Sequence, residues 1–182
     1  MRIGLTQRIL YHKNRSYDAL EHAWYDFLSE HTILPIANTV DQDFVKLADQ
    51  LDALIITGGD DSRLRRTVEL KLATQMMQST KPVLGICHGA FLITEVLGGQ
   101  VEECTGHLDT EHVIKYNDRE ITVNSYHNLA IKSCHKGANI LCTDVDGNVE
   151  AWTDGVLSAI VWHPERMHDP FIPTEILKEI RL

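Results

Sequence analysis

Cys87 stands in the segment Gly85-Ile86-Cys87-His88-Gly89, directly after the apolar run Pro82-Val83-Leu84. A helical pattern of Phe91, Leu92, Val96 and Leu97 follows it. A strand that turns sharply into a helix around one nucleophilic side chain is a nucleophile elbow, here with cysteine in the place of serine. The flanking glycines permit the tight bend and leave room for a substrate. The helix N-terminus behind Cys87 predicts a partial positive charge that favours thiolate over thiol. Such a nucleophile needs a base, and the base needs a group to orient it. His163-Pro164-Glu165 offers both, just after the apolar run Ala159-Ile160-Val161-Trp162. Proline fixes the backbone so that imidazole and carboxylate project to the same side. The glutamate then accepts from one ring nitrogen and leaves the other for the thiol. Each signal alone has a plain structural reading, since cysteine is often simply buried and the chain carries 10 histidines.

Metal binding is a second chemistry. Cys104 and His107, with His112 beyond, have a spacing that suits zinc, and Cys134 or His135 would complete the set. The spacing is irregular, so a structural or substrate-facing role is expected for this segment. Neither a metal nor an organic cofactor is expected.

The elements that must position these groups alternate in the first half. Ile3 to Thr6 reads as a strand. Asp18 reads as a helix N-cap, with Glu21 completing a capping box ahead of the stripe Ala19, Leu20, Ala23, Trp24, Phe27 and Leu28. Ile33 to Ile36 is a second strand. A helix opened by Asp41 or Asp43 follows, with Phe44, Leu47, Ala48 and Leu51 on one face. Leu54 to Thr57 is a buried strand ending at Gly58-Gly59-Asp60-Asp61, and the next helix runs from about Thr67 to Gln78. The Cys87 strand and helix close the run at Gly98-Gly99. Alternation of this kind predicts a parallel sheet with helices on both faces, and ligands bind at the carboxyl ends of such strands. The second half changes character. His112–Tyr116, Glu120–Val123, Asn139–Cys142 and Val149–Trp152 are short, β-branched and separated by turn signals, which predicts an antiparallel extension. A last helix follows Pro173. There is no repeat or long linker, and residues 1–182 are read as one domain.

The formal net charge of −9 argues against nucleic acid and anionic membrane surfaces as partners. The start of the chain reads as a strand, not as a signal peptide, and no apolar run approaches transmembrane length. The 4 cysteines then read as free thiols in a reducing cytoplasm. A homodimer is left open.

A cysteine elbow followed by a strand-terminal His-Pro-Glu, over a βα run, resembles the class I glutamine amidotransferase superfamily, whose triad is Cys, His and Glu in that order. The resemblance covers nearly the whole chain. It implies a flavodoxin-like α/β fold with a small antiparallel β extension, and catalytic roles for Cys87, His163 and Glu165. Thr57-Gly58-Gly59-Asp60-Asp61 is similar to the family's glycine-rich oxyanion strand end, so the backbone N–H groups of Gly59 and His88 are the implied oxyanion donors. Val123-Asn124-Ser125-Tyr126-His127 resembles a segment of the γ-glutamyl amide hydrolase (peptidase C26-like) branch, as does Gly106-His107 with His112. That branch includes enzymes that cleave γ-glutamyl-γ-aminobutyrate. It implies that Ser125, Tyr126 and His127 meet a small γ-glutamyl substrate. One departure stands out: Phe91 occupies a position where many members carry a glutamine that helps hold the glutamyl group. The short length and the compact start Ile3-Gly4-Leu5-Thr6-Gln7-Arg8 resemble a branch of surface-polysaccharide pathways that hydrolyses γ-glutamyl-CDP-amidate. Arg8, Arg63, Arg65 or Arg66 would meet its pyrophosphate. The alternatives are a glutaminase subunit serving a synthase, and the DJ-1/PfpI proteins, which share Cys-His-Gly but lack the distal His-Glu pair.

Overall fold

The computed structural model describes residues 1–181. In chain order, β1 (Arg2–Thr6) leads to a hairpin of β2 (Arg8–His12) and β3 (Arg15–Ala19), then α1 (Ala23–Phe27), β4 (Thr32–Ile36) and α2 (Phe44–Asp49). β5 (Ala53–Ile56), α3 (Arg63–Gln78), β6 (Val83–Ile86) and α4 (His88–Val96) complete the alternating half. The second half contains β7 (Gln100–Glu103), β8 (Thr110–Tyr116), β9 (Arg119–Ser125), β10 (Leu129–Ser133), β11 (Asn139–Asp144), β12 (Val149–Thr153) and β13 (Leu157–Ile160). A 3₁₀ turn (Pro164–Arg166) and α5 (Thr174–Ile180) end the chain.

One 11-stranded sheet runs through the molecule in the order β4-β1-β5-β6-β13-β12-β11-β8-β9, with β10 and β7 branching from β12. The strands from β4 to β13 are parallel, whereas β12, β11, β8 and β9 pair antiparallel. β13 is therefore the seam. It runs parallel to β6 on one side, with Ala159 opposite Gly85, and antiparallel to β12 on the other. β5, β6 and β13 are buried at every position, as expected of strands covered on both faces. Trp24, Trp152 and Trp162 lie fully inside, the last two with their indole N–H groups donated to Thr94 Oγ1 and to the Phe171 carbonyl.

The predicted capping box is not formed. Asp18 lies on β3 and accepts from the backbone and side-chain nitrogens of Asn38 at 2.9 and 2.7 Å. α1 begins later, after His22, with no side-chain cap. Both acids of the expected box are drawn to tertiary partners, and the hairpin turns through Lys13 and Asn14 at φ 46° and 61°, as a two-residue primed turn requires. α3 starts one turn earlier than predicted, at a Ser62 N-cap. Asp43 caps α2 as anticipated. β7 and β10 were not expected, because the mostly polar Gln100–Glu103 shows no apolar alternation.

The consequence for function is convergence. β5 ends at Gly58-Gly59, β6 at Cys87 and β13 shortly before His163, all at the carboxyl edge of the parallel block.

Candidate active site

Cys87 adopts φ 49°, ψ −102°, a conformation costing an L-residue on the order of 1–3 kcal/mol. It is held there because its N–H donates to the Ile160 carbonyl at 2.9 Å and the first turn of α4 is pressed onto the sheet. Any side chain at Gly89 would strike the Ile56 carbonyl, and one at Gly85 would strike Gly89. The glycines around the elbow thus permit close packing of helix on strand as much as the turn itself.

Cys87 is 8% exposed. Burial pushes its thiol up to about 12, with Glu165 adding to the rise; the His88 N–H and Arg166 oppose it. The helix N-terminus acts in the expected direction through the His88 N–H, but desolvation outweighs it and the net shift favours the thiol.

His163 and Glu165 come together as the sequence predicts. Nδ1 of His163 lies 2.7 Å from Glu165 Oε1, both residues being buried. His163 lines the same cavity as Cys87, a space of about 600 Å³. His163 is fixed from three directions, its ring by Gly58 and Tyr126 and its main chain by Asn124. Gly58 lies so close to the ring that a Cβ there would overlap it. Asn124 receives the His163 N–H on Oδ1 and donates Nδ2 to the His163 carbonyl, each at 2.8 Å. The edge of Tyr126 meets the ring at a centroid distance of 5.6 Å. Arg166 in turn lies 4.8 Å over the Tyr126 ring and forks onto Glu21 at 2.7–3.1 Å. Burial would raise the Glu21 carboxyl, but the Arg166 guanidinium and Arg8 hold it below its ordinary value.

The glycine-rich strand end is braced from beneath. Arg65, fully buried, donates to the carbonyls of Thr57, Gly58 and Asp60 and pairs with Glu69 at 2.7 Å. Glu69 also accepts from Thr6 Oγ1 and faces His88 Nε2, both at 2.8 Å. The His88 side chain is thus tied into the interior beside Cys87. Burial alone would raise the Glu69 carboxyl; His88 and Arg65 hold it low. Arg65 is consequently not available to a phosphate, correcting that expectation.

The cavity is lined by Arg8, Gly59, Arg66, His88, Phe91, Tyr126 and His127, among others. Gly59 takes φ +118°, and Arg8 and Arg65 crowd the place of any side chain there. Arg66 is shared with Glu95 at 3.1 Å and Asp61 at 3.6 Å. Ser125 is fully buried and gives its hydroxyl to the His107 carbonyl at 2.6 Å, so it lies behind the cavity and not in its lining.

Behind His127 the structure gathers groups that the sequence does not bring together. His107, His112, His127 and Glu150 place one ligating atom each within 4.8 Å of the others. Cys104, Cys134 and His135, offered above as ligands, are not in this set; His135 packs on Trp152 and faces Asp154 instead. Burial and the neighbouring imidazoles push His127 down to about 4, against its bond to the Leu129 carbonyl.

The sequence model of the family described as class-I glutamine amidotransferase matches residues 15–180. The chain belongs to the class I glutamine amidotransferases. This amidotransferase-family protein is 28% identical to the γ-glutamyl-CDP-amidate hydrolase of Campylobacter jejuni, over 98% of this chain and 96% of that one. It is 26% identical to the pyridoxal 5′-phosphate synthase subunit PdxT of Shouchella clausii, over 80% and 88% of the two chains. A glutamine amidotransferase structure from Thermotoga maritima superposes with a TM-score of 0.71 at 14% identity, over 98% of this chain and 79% of that one. The mixed sheet with its antiparallel extension is the fold of the family.

Reading the family motifs along this amidotransferase-type chain still misses several positioning residues. Asn124 sits inside the quoted Val-Asn-Ser-Tyr-His segment but shows no sign in sequence of clamping His163, 39 residues away. Glu69 and Arg65 are four apart on α3, a spacing that reads as an ordinary surface pair. Among the described residues no helix is long and apolar enough to cross a membrane.

Proposed function

We propose that this chain hydrolyses a γ-glutamyl amide through a Cys87 thioester, with γ-glutamyl-CDP-amidate as the substrate. The observation that carries the reading is the buried His163–Glu165 pair on the same cavity as a strained Cys87. A buried thiol needs a neighbouring base, and an imidazole oriented by a carboxylate is that base.

In the proposed reaction the Cys87 thiol gives its proton to Nε2 of His163 as Sγ bonds to the γ-carbonyl carbon. The oxyanion is received by the N–H groups of Gly59 and His88. The C–N bond breaks as His163 returns the proton to the leaving nitrogen, and the acyl group stays on Sγ. Water then adds with His163 as base, the C–S bond breaks, the proton returns to Sγ and glutamate leaves. Glu165 keeps Nδ1 occupied throughout, so that Nε2 serves the reaction.

For the substrate, support comes from the near full-length relative named for γ-glutamyl-CDP-amidate and from the partly exposed Arg8, Arg66 and Arg166 around the cavity, which would exchange Glu21, Glu95 and Asp61 for a pyrophosphate. Phe91, also in the lining, takes the place of the family's glutamyl-holding glutamine, which weighs against free glutamine. The test is glutamate release from γ-glutamyl-CDP-amidate, γ-glutamyl-γ-aminobutyrate and glutamine. The expected kcat/KM for the first exceeds the others by at least about tenfold, and Cys87→Ala removes turnover while keeping the fold. A preference for glutamine, or full activity of Cys87→Ala, would overturn the proposal.

A further inference from the structure

The antiparallel extension holds a second chemical site. His107 precedes β8, His112 lies on β8, His127 follows β9 and Glu150 lies on β12, so two strands and two loops converge. The rings of His107 and His112 are 4.7 Å apart, those of His107 and His127 5.0 Å, and those of His112 and His127 6.0 Å. Three imidazoles facing one another would ordinarily share hydrogen bonds or water. Here His107 Nδ1, both nitrogens of His112, His127 Nε2 and Glu150 Oε2 are buried without a hydrogen-bond partner. His112 Nε2 does approach Glu150 Oε2 to 3.3 Å, but without hydrogen-bond alignment. Orphan polar atoms of this kind are costly and rare in folded proteins, and they are concentrated here on one point.

We propose that His107, His112, His127 and Glu150 bind a divalent metal ion, with zinc the ion that three imidazoles and one carboxylate favour. Tetrahedral bonds of about 2.0–2.1 Å put ligand atoms about 3.3 Å apart, so the cluster closes by rotamer adjustments of an ångström or so from its present spread. His127 is already set for the task. Its Nδ1 lies 2.7 Å from the Leu129 carbonyl, which takes up that N–H and leaves the Nε2 lone pair for the ion. His107 turns Nε2 toward the Asp144 carboxylate, 4.0 Å away and beyond hydrogen-bond distance, which leaves Nδ1 facing the other ligands. Four protein ligands close the site, which marks it as structural. It is separate from the Cys87 chemistry and touches it through His127 alone, whose ring also borders the cavity beside Phe91. His127 is then a wall anchored from behind and not a substrate ligand.

The test uses the full chain, purified without a histidine tag. Elemental analysis after exposure to zinc chloride and gel filtration is expected to find about one equivalent, and replacement by cobalt(II) to give the visible spectrum of a tetrahedral ion. Free zinc a hundredfold above its Kd raises the melting temperature by about 5–10 °C. Glu150→Gln, nearly isosteric, and His112→Ala lose most of the bound zinc and that shift. Should either variant fail to fold, stoichiometry and cobalt spectrum of the unaltered chain decide. Less than about 0.2 equivalents of zinc on the unaltered chain, no thermal shift, or bound metal unchanged in Glu150→Gln would overturn the proposal. The outcome is independent of which amide the Cys87 site cleaves.

Discussion

At Cys87, two local forces oppose one another. The turn places the sulfur at a helix N-terminus, where the His88 N–H favours a negative charge, yet the packing that makes the turn possible also strips water from the thiol. Burial wins, and the reaction depends on where the proton goes. In the proposed reaction deprotonation is coupled to the His163 imidazole; without it, the thiol titrates alone. The folded value lies above the ordinary one, so the thiolate fraction keeps growing roughly tenfold per pH unit until pH approaches 12. In His163→Ala, alkylation of Cys87 by iodoacetamide, followed by peptide mass spectrometry, is therefore expected to climb through pH 10 with no plateau. A plateau near neutrality in that variant would mean that the helix terminus alone activates the sulfur.

The elements explain why part of this was legible in sequence. β5, β6 and β13 are mostly apolar, buried at every position and followed within a few residues by Gly58, Cys87 and His163, so their composition marks them as central parallel strands with polar groups just past their ends. The β2–β3 hairpin was not legible. Its turn residues, Lys13 and Asn14, are weaker signals than Asn-Gly, and the acids that imitate a capping box answer to Asn38 and Arg166. The histidine cluster was half legible: the spacing of His107 and His112 suits zinc but reads as a structural or substrate-facing segment, and the neighbours His127 and Glu150 depend on strand pairings with no local trace. The same holds for Asn124 at the end of β9, which carries His163 on two hydrogen bonds. Asn124→Ala leaves a buried N–H and C=O unpaired, at about 1–3 kcal/mol of stability, and frees the imidazole to drift. Displacement of a catalytic group by about an ångström costs up to about 10²-fold. The expected result is a kcat loss of that order with KM little changed, partly rescued by Asn124→Asp, which keeps the acceptor for the His163 N–H. Equal activity of Asn124→Ala and the unaltered chain would show that Gly58 and Tyr126 suffice to hold the ring.

Across the whole molecule, the parallel and antiparallel halves share one sheet and one site. β13 pairs with both halves, Trp152 on β12 donates to Thr94 on α4, and Asn124 from the extension grips the loop that follows β13. Cys87 comes from one half, and the groups that hold His163, the base of the proposed reaction, come largely from the other. A chain built this way cannot lose the extension and keep the site, so the two are expected to unfold as one cooperative unit. The tryptophans make this measurable, since Trp24 reports on the N-terminal half while Trp152 and Trp162 report on the seam and its neighbour. Single-tryptophan variants, with phenylalanine at the other two positions, differ in stability from one another, so each is compared with its own far-ultraviolet circular dichroism. For every variant, urea unfolding followed by fluorescence and by dichroism is expected to give the same midpoint and slope. A Trp24 transition displaced from the dichroism curve, with the Trp152 transition displaced the opposite way, would divide the chain into separable halves. The site would then lie at a junction between two units and not within one domain.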